Sequence, residues 1–279
     1  MALASTLPGS VAQVLAERDA CFESFVNALK LIITCKDFDK KVFKKRPLDL
    51  SEAYVLVWHN TSNSTIDGKS NMNLRVGASA AVLLDLMVRE KIEIADDDTH
   101  LGCDHHCDLA IKVLNVKSTK SYLDYAGFKQ IVNYHEKNRG KRYLVKEWFE
   151  DQENQYTVKI ILRNLVERKI LGDVQTGMCG IMHKYPTKDA SFETALDTEM
   201  KQVSLKECKP DSFMLSLLTL SRTADHLFTF IDPILRKHFT KDEYKVAKEN
   251  IKVIVQSQGE VLRSPKLDRK KKKNFLMSS

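Results

Sequence analysis

The sequence predicts a mainly α-helical protein: a single globular helical domain with a buried central helix bundle, surrounding amphipathic helices and one or two short β-hairpins. Three observations carry this expectation. Apolar residues recur at helical spacing through most of the longer segments. Glycine and proline are sparse, 10 and 6 of 279 residues, too few for a many-turned β-barrel. The segment Gly77 to Arg89 is apolar on most faces, and such a helix has to be enclosed by others.

The elements follow in order. Ser10 to about Cys35 reads as one helix, with Ser10 as N-cap and Val11, Val14, Leu15, Phe22, Phe25, Val26, Leu29 and Ile32 at helical spacing. The charged stretch Lys36 to Lys45 reads as a connector. Pro47 then introduces a second helix or short strand carrying Leu48, Leu50, Tyr54, Val55, Leu56 and Val57. His59 to Asn73 is rich in Asn, Ser, Thr and Gly, residues that hydrogen-bond locally, and reads as a surface loop. In the core helix Gly77 to Arg89, the small residues Ala78, Ser79, Ala80 and Ala81 allow other helices to approach closely. Ile92-Glu93-Ile94 alternates like a short strand and ends in a turn at Asp96 to Asp98.

Residues 109–137 read as two weaker helical stretches, and Gly140 to Trp148 is basic and aromatic. Thr157 to Leu171 is a strong helix, stopped at Gly172. Val174 to Tyr185 reads as a β-hairpin, because Gly177 and Gly180 punctuate an apolar run. Asp189 to Lys201 reads as a polar helix, Pro210 to Phe230 as a second core helix and Asp242 to Val255 as the last helix. No repeat of fixed period is visible. The expected organisation is a helical extension over 1–45, a domain over 46–256 and a disordered polybasic tail over 257–279.

The composition, 43% hydrophobic and 29% charged, excludes wholesale disorder. The longest uncharged apolar run, Val76 to Leu84, has about nine residues, well short of the ~18 that a membrane-spanning helix needs. Met1 to Ala16 lacks a basic opening, and Pro8-Gly9 interrupts its apolar residues, so no secretory signal is expected. The six cysteines are therefore expected as reduced thiols in the cytosol or nucleus.

The net charge of +7 is concentrated at one end. Of 44 basic and 37 acidic side chains, seven basic and one acidic lie within 263–279, which leaves 37 and 36 for the rest. Affinity for anions is thus expected from the tail Arg269, Lys270, Lys271, Lys272 and Lys273, or from a local patch. Near an anionic leaflet each such residue contributes about 1 kcal/mol. The same run fits a nuclear import signal, a weak nucleic-acid patch or simply a solvated end.

Met178-Cys179-Gly180-Ile181-Met182, at the hairpin tip, is apolar. Inserted in a membrane, each apolar side chain contributes about 1.5–3 kcal/mol when fully buried. The plain alternative is a tip packed on its own domain or on another subunit. Between His100 and Cys107, five His or Cys residues crowd a short segment. Cys103, Cys107, His100 and either His105 or His106 have the chemistry of a zinc set, but a single segment rarely surrounds an ion. It reads as an exposed loop, and neither a metal nor a cofactor is expected. No nucleophile elbow, P-loop or dinucleotide-binding glycine set is present, so no enzyme is expected. Asp85 and Asp225 fall in core helices, where a capping or paired structural role is expected.

Three stretches resemble the Golgi phosphoprotein 3 family: Ala80 to Ile92 (AAVLLDLMVREKI), Arg163 to Leu171 (RNLVERKIL) and Ser216 to Leu227 (SLLTLSRTADHL). Pro186 falls where that family's hairpin closes, and the likeness spans roughly 48–256. The resemblance implies a peripheral protein of the cytosolic Golgi face that takes part in vesicle trafficking. By the same resemblance, a flat basic face holds phosphatidylinositol 4-phosphate, an apolar hairpin enters the leaflet, and short cytosolic tails of Golgi membrane proteins are bound and retained. It implies a non-enzymatic adaptor, monomeric or homo-oligomeric. The chain departs from the family's headgroup residues. Ser79 stands at its loop-side arginine, Gln155 and Val158 at its arginine pair, and its loop tryptophan has no counterpart. Arg75, Lys159 and Arg163 are the nearby basic candidates, with Met178, Ile181 and Met182 as the inserting residues. A scaffold without lipid specificity, acting through protein contacts or in the nucleus, is the alternative.

Overall fold

A computed structural model of the chain describes residues 11–67, 71–96, 108–139, 141–152, 156–176, 182–226 and 234–257. It is mainly helical, with a few short antiparallel strand pairs. Helix α1 (Val11–Ile33) lays Phe22, Phe25, Leu29 and Ile32, all buried, against α4 and α9. Helix α2 (Lys40–Lys44) is a single turn inside the expected connector, capped by Asp39, whose side chain accepts from Lys41 N. Helix α3 (Leu50–Val57) is buried along its whole length. Strands β1 (His59–Asn60) and β2 (Thr65–Ile66) then form a tight hairpin within the expected loop.

Helix α4 (Met72–Val88) is the axis of the fold. It begins earlier than the apolar pattern suggested, because Asn71 caps it by accepting from Asn73 N. From Val76 to Val88 every residue is buried, enclosed by α1, α3, α7 and α9. Gly77 is the point of closest approach between α3 and α4. A Cβ there would lie 2.0 Å from Tyr54 Oη, which donates to Asn73 O at 3.0 Å.

Strands β3 (Ile92–Asp96) and β4 (Leu109–Val113) pair antiparallel with Ile94 opposite Ile111, and β4 pairs with β5 (Tyr143–Leu144). The helical expectation for the start of 109–137 is thus corrected. Leu109 and Ile111 turn inward at alternating period and Lys112 outward, and pairing with β3 fixes them as a strand. The later part is helical: a kinked turn over Asp124–Phe128 leads into α5 (Lys129–Lys137). Helix α6 (Val145–Gln152) follows β5, and α7 (Thr157–Glu167) packs on α3 and α4. Helix α7 ends with Arg168 as C-cap, and Lys169 takes the left-handed conformation (φ 60°), so the helix stops before Gly172.

Strands β6 (Val174–Thr176) and β7 (Met182–Lys184) form the expected hairpin. Helix α8 (Ala190–Ser204) starts on an Asp189 cap, and α9 (Ser212–His226) packs on α1, α3 and α4. A short 3-10 turn (Ile234–His238) and helix α10, over 241–257, close the described chain.

Polar side chains set how these helices are placed. Asp85, inside α4, accepts from the first amides of α3, Leu50 N at 2.9 Å and Ser51 N at 3.0 Å, and from Ser51 Oγ at 2.7 Å. Burial, with the nearby Asp49 carboxylate, raises its pKa well above the usual range. Glu52 of α3 closes back on Asp49 N at 2.9 Å and accepts from Asn164 Nδ2 at 2.6 Å and Arg168 Nη1 at 2.5 Å. Arg168 Nη2 donates to Pro47 O at 2.7 Å. Asp225, at the end of α9, accepts from Ile234 N at 2.6 Å and so fixes the start of the 3-10 turn. Both acids have the structural capping role expected of them.

Two outcomes follow. Gly77→Ala forces Tyr54 from its buried place and lowers stability by about 1–3 kcal/mol, read as a fall in the urea midpoint. Burial raises Asp225 to about 6, so the folded chain keeps a proton that the unfolded chain releases near pH 4. Its contribution is complete below that pH and is lost as the pH climbs through 6. The urea midpoint therefore contains a component that falls between about pH 4 and pH 6, and Asp225→Asn removes that component.

Candidate functional site

The hairpin β6–β7 stands out from the body as an arm. Val174 is 46% exposed, Gln175 and Lys184 are exposed, and no described side chain of either strand is buried. Thr176 lies opposite Met182, so the apolar tip sequence begins where the strands end. The tip residues Met178 and Ile181 lie outside the described residues. Of Met182, only its place in β7 is described.

The root of the arm is rigid. Leu171 bridges to Thr187, and Gly172 N donates to Pro186 O at 2.7 Å. Gly172 suits this approach, since a Cβ would lie 2.9 Å from Lys188 Cε and 3.1 Å from Pro186 Cγ. Tyr185 N donates to Ser64 O at 2.6 Å, which ties the arm to the β1–β2 hairpin. Buried His59 completes the root: its Nε2 donates to Tyr185 O at 2.7 Å, and its Nδ1 lies 2.5 Å from Glu193 Oε1 on α8. Glu193 Oε2 also accepts from Thr187 Oγ1 at 2.7 Å.

A second histidine repeats the arrangement beside it. His238 Nε2 donates to Val57 O at 2.9 Å, and its Nδ1 lies 2.8 Å from Asp197 Oδ1, one turn beyond Glu193 on α8. Lys237 Nζ donates to His59 O at 2.8 Å. The cleft beside them, about 200 Å³, is lined by these groups, whose hydrogen bonds join α8, β1 and the 3-10 turn. A larger cleft of about 410 Å³ lies over the start of α3. Its cations are matched to acids: Arg46 with Glu199 and Asp211, Arg89 with Asp49, Arg168 with Glu52 and Lys44 with Glu90.

The basic candidates fall in two places. Lys159 and Arg163 share the exposed outer stripe of α7, one turn apart, with Arg163 Nε 2.9 Å from Glu167 Oε1. Arg75 lies elsewhere, half-buried in the first turn of α4 and within electrostatic reach of Cys21 on α1. Burial pushes the Cys21 thiol up to about 12, and its Sγ donates to Asn73 Oδ1 at 3.3 Å. The basic tail Arg269 to Lys273 and the His100 to Cys107 segment lie outside the described residues.

Sequence reasoning missed His59, which it placed in a polar surface loop. It also missed two exposed tyrosines, Tyr125 in the kinked turn and Tyr156 at the start of α7. A histidine directly after an apolar helix was the only signal for the first.

A family model described as Golgi phosphoprotein 3 (GPP34) matches residues 50–264. A search of curated proteins gives no match.

His59→Ala removes both bonds at the root and leaves Glu193 and Tyr185 O short of a partner. Stability should fall by about 2–3 kcal/mol, with faster hydrogen exchange at Tyr185 and His183 than in α4. Unchanged exchange at both positions would show that the arm is held by other contacts.

Proposed function

The chain belongs to the Golgi phosphoprotein 3 family, and from that premise we propose that it is a non-enzymatic peripheral adaptor at the cytosolic face of the Golgi. In this reading the arm enters the leaflet, basic side chains meet anionic headgroups, phosphatidylinositol 4-phosphate among them, and another surface retains the cytosolic tails of Golgi membrane proteins. The observation that carries it is the exposed arm, rooted rigidly on the body and leading into the apolar tip sequence Met178 to Met182. A strand pair with no described buried side chain adds little to the core of its own domain. Among the described residues no helix is long and apolar enough to cross a membrane, which suits attachment by insertion of a short segment.

The headgroup is met by Lys159 and Arg163 on the outer stripe of α7, assisted by the basic tail, with Arg75 a separate contributor. Attachment then combines an apolar wedge with a charge term, each modest alone.

Vesicle sedimentation tests this. The full chain is compared on phosphatidylcholine, on phosphatidylcholine with phosphatidylserine, and on phosphatidylcholine with phosphatidylinositol 4-phosphate. Preferred binding to the phosphoinositide is expected, weakening as salt rises. The triple change Met178→Ser, Ile181→Ser and Met182→Ser should weaken it by about a hundredfold or more. A chain ending at Leu262 reports the share of the tail. Absence of binding to all three vesicles would overturn the reading.

A further inference from the structure

Tyr125 and Tyr156 are 68% and 69% exposed, and the kinked turn and the start of α7 that carry them pack on each other. The residues that follow them are joined by a buried hydrogen bond, Thr157 Oγ1 to Ala126 O at 3.2 Å. Neither ring sits on a loose loop. Tyr125 lies between Asp124 and Ala126, both buried, and Asp124 accepts from Thr119 N at 2.7 Å and Thr119 Oγ1 at 2.9 Å. The kink at Gly127 is wedged against Trp148, whose Cζ2 would lie 2.7 Å from a Cβ at that position. Tyr156 opens α7, and its carbonyl accepts from Ile160 N at 2.8 Å. Large aromatic rings are thus held in solvent by a backbone that is itself fixed.

Each ring carries a lysine. Lys129 Nζ lies 3.9 Å from the centroid of Tyr125 and Lys159 Nζ lies 5.3 Å from that of Tyr156. Among the described residues neither ammonium has a carboxylate within salt-bridge reach. An amphipathic ring beside a long-stemmed cation suits the boundary between headgroups and acyl chains. There the ring body meets the apolar side, while the hydroxyl and the ammonium stay with water and phosphate.

We propose that Tyr125, Lys129, Tyr156 and Lys159 form a second footing on an anionic membrane, separate from the arm. The proposal rests on the membrane reading above and adds an orientation to it. Helix α7, 11 residues and so about 16 Å long, leads from Tyr156 toward the root of the arm. Two contacts at opposite ends of α7, with Arg163 between them, set α7 along the bilayer and leave the opposite side free for protein tails.

The test uses the full chain and vesicles of phosphatidylcholine and phosphatidylserine, some of the phosphatidylcholine carrying a spin-label quencher high on its acyl chains. Both native tryptophans are buried, Trp58 at 4% and Trp148 at 0% exposure, so quenching beyond that of the parent reports the added surface ring. Tyr125→Trp and Tyr156→Trp should each gain a quenched emission that the parent lacks. Tyr125→Ser with Tyr156→Ser should keep the parent's melting temperature and lose about tenfold in vesicle partition. If the tryptophan variants sediment with vesicles and show no more quenching than the parent, the face lies away from the bilayer and the footing is refuted while the membrane reading stands. The same holds if the double serine variant partitions like the parent. If the parent itself binds no vesicle, the membrane reading fails and the footing with it.

Discussion

The first turn of α3 is the constraint around which the other helices are placed. Its leading amides point into the protein, where no water can satisfy them, and a buried amide left unpaired costs about 1–3 kcal/mol. Asp85 meets two of them from the middle of α4. Glu52, one residue further on, is reached by Asn164 and Arg168 at the far end of α7. Arg89 adds a contact from the end of α4 to Asp49 at 2.8 Å. Apolar packing brings α3, α4 and α7 together but would tolerate sliding; the carboxylates fix how far along one another they lie. Burying Asp85 is costly in itself, as its raised pKa shows, and three donors offset that cost.

This arrangement explains what was legible in the sequence. The stretch around Asp85 caps α3, the stretch around Asn164 and Arg168 clamps it, and the late stretch supplies Asp225 for the 3-10 turn and Ala224 O, which accepts from Asn73 Nδ2 at 2.8 Å. The segments that resemble the family are those that determine its fold, so fold and family could be read together. The helices were legible because their apolar period survives in the core. Strand β4 was not, because Leu-Ala-Ile-Lys-Val suits either period and only its partner β3 decides. The end of α7 was misplaced because a lysine, Lys169, takes the left-handed turn usually given to glycine, while Gly172 serves a close contact at the arm.

The site was less legible for a different reason. An arm is visible in sequence as an apolar run between turn residues, and that much was foreseen. Its root depends on His59, Glu193 and Tyr185, which are far apart in the chain and meet only when α8 folds over β1. Tyr125 and Tyr156 are unremarkable alone, and only the fold packs the kinked turn that carries the first against the start of α7 that carries the second. The cations of the larger cleft are matched to acids, whereas Lys159 and Arg163 on α7 face outward.

Helix α4 has a consequence for the motions of the molecule. From Val76 onward it has no side turned to solvent, so its amides can meet water only when α1, α3, α7 and α9 part from it together. The arm has the reverse character, with strands that solvent reaches without disturbing the body. The protein therefore joins an axle that opens only when the whole domain unfolds to a lever that can bend at little expense. Force on the lever is met at the root, where Tyr185 is tied to Ser64 and His59, and need not reach the axle.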